Sequence, residues 1–197
     1  MWDLGGVLVR WNPRNLYSKI FENRSEMERF LSSVCTMEWH GRHDGGEPME
    51  SAAADLKDQF PQYSAEIDAW RLRWPEMFKG PDEDAVALVE TLTARGVPQY
   101  ALTNFPGDKW RAFAADPDYG FLTHFKAITV SGLIGTKKPA REAFAHIEAA
   151  SGLTPPEMLF FDDTGPNVAA ARDYGYHARL FDGAGGAEAA LKEAGFL

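Results

Sequence analysis

Two adjacent aspartates, Asp162 and Asp163, close the apolar run "EMLFFDD". Neighbouring carboxylates repel each other unless a cation joins them, so the pair suggests a site for positive charge, although Asp163 could equally cap the helix that follows. Asp3 stands in the same relation to "MWDLGG", Thr103-Asn104 to "YALTN", and Lys138 lies in "GTKKP". Taken singly, each has an ordinary reading. A strand-end aspartate caps a turn, Thr-Asn is common turn chemistry, and Lys137-Lys138 before a proline is a solvated loop. Taken together they are a nucleophile or metal ligand, two phosphate-grade hydrogen-bonding groups, a cation and a carboxylate pair.

Such groups meet only if the elements bearing them are aligned. From about residue 82 the sequence alternates helix and strand. "DEDAVALVETLTARG" has apolar residues at helical spacing, acids at its start and Arg95-Gly96 at its end, and "VPQYALT" reads as a strand. "PGDKWRAFAAD" is a helix with Pro106 in its first turn, "FKAITVS" a strand, and "PAREAFAHIEAASG" a helix ending at Gly152. "EMLFFDD" and "HARLFDG" are strands around the helix "GPNVAAARDYG", and "AEAALKEAG" closes the chain. This alternation predicts an α/β fold with a parallel sheet, in which functional groups collect at the carboxyl ends of strands. Residues 14–80 differ: "NLYSKIF", "SEMERFLSSV", "PMESAAADLKDQF" and "AEIDAWRLRWPEMF" read as helices with no convincing strand. They predict a helical module inserted after the first strand.

In order and spacing, "DLGGVL", "LTN", "KP" and "FFDD" followed by Asn167 resemble the haloacid dehalogenase-like hydrolase superfamily, over nearly the whole chain. The resemblance implies a Rossmann-like parallel sheet of order 5-4-1-2-3, with residues 1–13 and 81–197 as the core and 14–80 as a helical cap. It implies Asp3 as nucleophile. A phosphate ester repels a carboxylate, so the site must neutralise charge before attack. Mg²⁺, which favours hard oxygen ligands, would be held by Asp3, the Gly5 carbonyl and Asp163, with Asp162 as a further ligand or a supporting acid. The Thr103 hydroxyl and Asn104 backbone amide would hold phosphate oxygens, and Lys138 would neutralise both nucleophile and transferring group. Asn167 would orient the loop, or is an ordinary first-turn residue.

Two features depart from the pattern. Many phosphatases of the superfamily carry a second aspartate two residues after the nucleophile, as general acid and base, where this chain has Gly5. A general acid contributes about 10²–10⁴-fold. Its absence argues against a mutase and predicts a preference for anomeric or aryl phosphates, whose oxygens depart more easily than an alkoxide. A glycine there is also similar to the bacterial sugar-phosphatase subgroup typified by glucose-1-phosphate phosphatase, which implies a sugar phosphate as substrate. Second, only Met1 and Trp2 precede Asp3, whereas a buried strand usually runs four to eight residues, so the natural chain is expected to begin earlier.

Within the insertion, "CTMEWHGRHDGGEP" places Trp39, His40, Arg42, His43 and Asp44 beside a Gly-Gly turn. It is either a polar connection with one packed tryptophan or a specificity loop over the site, with a histidine that titrates near neutrality. Trp70 and Trp74 read as packing inside the insertion, and Trp11-Asn12 as its hinge. His124, His146 and His177 have no metal-ligand spacing and read as structural or surface residues. A net charge of −9 with no long basic run argues against nucleic-acid or membrane-surface binding. The single cysteine, Cys35, permits no intrachain disulfide, and the absence of a signal-like or long apolar segment predicts a cytoplasmic protein. Three functions compete: a Mg²⁺-dependent phosphohydrolase of a small metabolite, a metal-free 2-haloacid dehalogenase using the same Asp3, and a non-catalytic phosphate-ligand binder. The acid pair favours the first.

Overall fold

The computed structural model describes all residues, 1–197. After Met1–Asp3 come β1 (Val9–Trp11) and five helices: α1 (Arg14–Tyr17), α2 (Arg24–Ser33), α3 (Met37–Asp44), α4 (Met49–Gln59) and α5 (Ser64–Leu72). β2 (Phe78–Pro81) and α6 (Glu83–Ala94) follow, then β3 (Tyr100–Thr103), α7 (Gly107–Ala114), β4 (Ala127–Val130), α8 (Ser131–Ile134) and α9 (Arg141–Ser151). β5 (Leu159–Asp162), α10 (Gly165–Asp173), β6 (His177–Leu180) and α11 (Ala184–Glu193) complete the chain.

β3 pairs in parallel with β4, and β5 with β6. Met1–Asp3 joins the two ladders. The Trp2 N–H donates to the Tyr100 carbonyl at 2.9 Å, and the Leu102 N–H donates to the Trp2 carbonyl at 3.0 Å. On the other side the Asp3 N–H donates to the Phe161 carbonyl at 2.9 Å, and the Phe161 N–H to the Met1 carbonyl at 3.1 Å. The resulting order is β6-β5-(Met1–Asp3)-β3-β4, which is 5-4-1-2-3 counted along the chain. Three residues therefore act as the central strand because both neighbours supply partners.

Side-chain alternation along a strand sends Ala101 and Phe161 to one face of the sheet and Leu102 and Phe160 to the other. The first face packs against α6 and α11 and contains Trp2, whose ring stacks on Phe161 at 4.8 Å and whose indole N–H donates to Gln99 Oε1. The second packs against α9 and α10 through Phe144, Ile147, Val168 and Ala171. Asp82 caps α6 by accepting from the Ala85 N–H, and Gly152 ends α9 at a φ of 71°.

The helices α1–α5 have their own apolar cluster, centred on Tyr17, Phe30, Ile67 and Trp70. They leave and rejoin the sheet region through β1 and β2, an antiparallel pair absent from the sequence reading. Only three and four residues long, these strands carry too little alternation to be recognised. The stretch around His40 is also a helix, α3, rather than a loop: Thr36 caps it by accepting from the Trp39 N–H at 3.1 Å. No helix is long and apolar enough to cross a membrane.

Candidate active site

The central segment and its neighbours end at one place, and their last residues meet there. Lys138 is buried, with its Nζ 2.8 Å from Asp3 Oδ1 and 2.7 Å from Asp162 Oδ2. Asp162 is enclosed. Besides Lys138 it accepts from the Thr164 N–H at 2.8 Å and from Asn167 Nδ2 at 3.1 Å to each oxygen. These bonds occupy both its oxygens, so Asp162 supports the lysine, with Asn167 holding it in place. Asp163 turns outward and is exposed.

Asn104 uses its side chain on the backbone of Lys138: Nδ2 donates to the carbonyl at 3.0 Å, and Oδ1 accepts from the N–H at 2.9 Å. This clamp fixes the loop bearing the lysine and leaves the Asn104 backbone amide as its only group for an anion. Thr103 Oγ1 is buried without a hydrogen-bond partner. A buried hydroxyl with nothing to bond is costly, which fits a group reserved for a ligand oxygen.

Oxygens of Asp3, Asp162 and Asp163 lie within 4.8 Å of one another. Three carboxylates around one lysine carry two more negative charges than positive. Burial pushes the Asp3 carboxyl up to about 7 against the pull of Lys138; Asp163, exposed at its surface but partly desolvated by the surrounding protein, is raised by that desolvation and then by the Asp162 charge. Burial alone would lower Lys138, but Asp3 and Asp162 together raise it, so it stays an ammonium. The set fits a hard dication: it supplies oxygen donors and an excess of negative charge that a dication would neutralise.

A cavity of about 680 Å³ opens from this cluster towards α1–α5. Asp3, Gly5, Asn104, Lys138, Asp163 and Asn167 line its floor. Trp11, Trp74, Phe78, Phe105 and Phe113 form an aromatic wall, with Leu31 and Met37 beyond. Of the five insertion residues that a specificity loop would present over the site, His40 and Asp44 line the cavity. Trp39 is packed inside the insertion with its indole N–H on the Ala52 carbonyl, His43 is buried against Trp39, and Arg42 pairs outward with Glu47 and Asp55. On a helix, Trp39 and Arg42, one and two residues from His40, turn to other faces, while His43, three residues on, lies beside His40 and is closed off from the cavity against Trp39.

The aromatic wall was missed because its members come from five separate places: Trp11 from β1, Trp74 from the residues before β2, Phe78 from β2 itself, Phe105 from the loop after β3 and Phe113 from α7. By sequence Trp11 reads as a hinge residue and Trp74 as packing. Their position where the chain passes between insertion and sheet was the available signal. Asp44, four residues after His40, lines the cavity too, as the specificity-loop reading of this stretch allows.

Residues 1–175 match the haloacid dehalogenase-like hydrolases. The chain belongs to this family. Haloacid dehalogenase-like relatives of known structure share its fold. A predicted HAD-like hydrolase from Porphyromonas gingivalis superposes with a TM-score of 0.73 at 19% identity, covering 98% of this chain and 95% of that one. A HAD family enzyme from Bacteroides thetaiotaomicron, in complex with magnesium and inorganic phosphate, gives 0.65 at 20% identity over 91% of each chain. Among characterised proteins, the sesquiterpene phosphatase astK of Aspergillus oryzae is 26% identical over 182 residues, 89% of this chain and 85% of the relative.

Proposed function

We propose that this hydrolase is a Mg²⁺-dependent phosphatase that removes phosphate from a small metabolite through an aspartyl-phosphate on Asp3, with the helical insertion acting as a cap. The observation that carries the reading is Asp3 Oδ1 held 2.8 Å from the buried Lys138 ammonium, with Asp163 turned outward alongside. Asp3, Asp163 and the Gly5 carbonyl would hold the metal, which when bound supplies the positive charge the cluster lacks. Lys138 lowers the repulsion between the Asp3 carboxylate and an incoming phosphate, and then balances the charge of the transferring group. Asp162 and Asn167 keep the lysine aimed. The Thr103 hydroxyl and the Asn104 backbone amide would donate to phosphate oxygens. A metal-free dehalogenase has little use for the Asp162-Asp163 pair, so the acid cluster supports phosphoryl chemistry.

The cavity wall bears on the substrate. A sugar offers hydroxyls in every direction and needs polar partners around it, whereas Trp11, Trp74, Phe78, Phe105 and Phe113 offer ring faces. This favours a phosphate ester of an apolar or aromatic alcohol over the sugar phosphate implied by the sequence resemblance, and the named substrate class of astK points the same way. The test is phosphate release with and without Mg²⁺ from p-nitrophenyl phosphate, farnesyl phosphate and glucose 1-phosphate, alongside halide release from 2-chloropropionate. Mg²⁺-dependent phosphate release, with farnesyl phosphate ahead of glucose 1-phosphate and nothing from Asp3→Asn, is the expected result. Halide release without phosphate release would replace the reading.

A further inference from the structure

The position two residues after Asp3 has no acid, and no heavy atom lies within 4 Å of where a Cβ on Gly5 would stand, so no other side chain has taken its place. An alkoxide leaving group still needs a proton. Most cavity-lining groups that could give one are committed elsewhere, Lys137 among them, whose Nζ is held on the Gly41 carbonyl at 2.7 Å. Lys138 is enclosed between carboxylates, Asp163 belongs to the acid cluster, and Arg14 is locked to Glu28 by two bonds of 2.7 and 2.6 Å. Burial raises the Cys35 thiol and drives the His40 ring down to about 3, so His40 is a neutral imidazole.

Asp44 is the exception. It lies at the end of α3, is 8% exposed and lines the same cavity as Asp3, and its Oδ1 is sealed from solvent without a hydrogen-bond partner. A carboxylate cannot be left so cheaply, whereas a carboxylic acid can. Burial accordingly raises it to about 6, against the pull of Lys137 and Lys138. Its placement is fixed from the sheet side: Lys137 Nζ donates to the Gly41 carbonyl at 2.7 Å, and Gly41 and Asp44, three residues apart, share a helix face. That face is turned towards the loop carrying Lys138. The groups that bear on Asp44 are His40 on its own helix, whose Nε2 is 3.4 Å from Oδ1, and Lys137 and Lys138 on that loop. Of the helices packed on α3, α8 brings no titratable side chain, and in α4 Asp55 is taken up by Arg42.

We propose that Asp44 is the general acid of this site, delivered by the cap in place of the acid missing at Gly5. The inference rests on the phosphatase reading. As Asp3 Oδ forms its bond to phosphorus and the bond to the ester oxygen breaks, the Asp44 carboxyl proton passes to that oxygen and the alcohol leaves. The Asp44 carboxylate then takes a proton from the water that attacks the aspartyl-phosphate, which frees Asp3 and phosphate and restores the acid.

A leaving group that needs no proton separates this role from a structural one. In the full-length protein with Mg²⁺, Asp44→Asn is expected to lose roughly 10²–10³-fold in kcat on farnesyl phosphate but only a few-fold on p-nitrophenyl phosphate. Adding Gly5→Asp to Asp44→Asn is expected to recover part of the farnesyl phosphate activity. A thermal melt matching wild type guards against a folding defect. Equal losses on the two substrates, or no loss on either, would overturn the role of Asp44 while leaving the phosphatase reading intact. A wild-type protein that releases phosphate from neither substrate overturns both.

Discussion

A Cβ on Gly6, where φ is +76°, would collide with the Asp163 carboxylate, whereas one on Gly5 would meet nothing. The two glycines therefore make different predictions. Gly6→Ala is expected to displace Asp163 and to abolish the rise in melting temperature on adding Mg²⁺, while Gly5→Ala keeps it; thermal melts with and without Mg²⁺ check both. Lys138 sits between Asp3 and Asp162 with no exposure of its side chain. Lys138→Met would leave two buried acids without their cation. The expected cost is about 3–5 kcal/mol in urea denaturation, with loss of turnover. At this scale the sequence was informative about the floor of the site, because Asp3, Thr103, Asn104 and Asp162 end the central segment and the strands beside it. It was not informative about direction: nothing in "TN" says that the Asn104 side chain clamps the Lys138 backbone while Thr103 keeps a free hydroxyl.

Met1–Asp3 is the element on which the sheet depends, since it bonds both ladders and buries Trp2 against Phe161. Trp2→Ala is expected to cost about 3–5 kcal/mol by denaturant unfolding, and a loss below 1 kcal/mol would mean that the ladders hold together without it. Helix α3 carries a different dependence. Burial lowers His43 to about 4, and both its ring nitrogens lack partners. The unfolded chain protonates a histidine near 6.5, so the stability from keeping it neutral is full above that pH and is lost as pH falls towards 4. His43→Leu removes this term. Between pH 7.5 and 5 the wild type is expected to lose on the order of 1–2 kcal/mol more than the variant; parallel pH profiles would contradict the burial of a neutral ring. The long periodic helices α6, α9 and α10 were legible as written. α3 was not, because a short helix with a glycine in its middle and buried histidines shows no apolar stripe.

Across the whole molecule, the cap and the sheet each have an apolar cluster, and the cavity lies between them. Lys137 to the Gly41 carbonyl, Lys109 to the Arg71 carbonyl and the Met49 N–H to Asp108 hold the two together. An aromatic wall assembled from residues 11, 74, 78, 105 and 113 has no local sequence signature, and so it stayed hidden while the order of the motifs along the chain did not. The central claim is covalent chemistry at Asp3, and rapid acid quench during turnover of p-nitrophenyl phosphate with Mg²⁺, followed by peptide mass mapping, tests it most directly. One phosphoryl group on the peptide containing Asp3, absent in Asp3→Asn, is the predicted result; steady phosphate release with Asp3 unmodified and the label elsewhere or nowhere would contradict it.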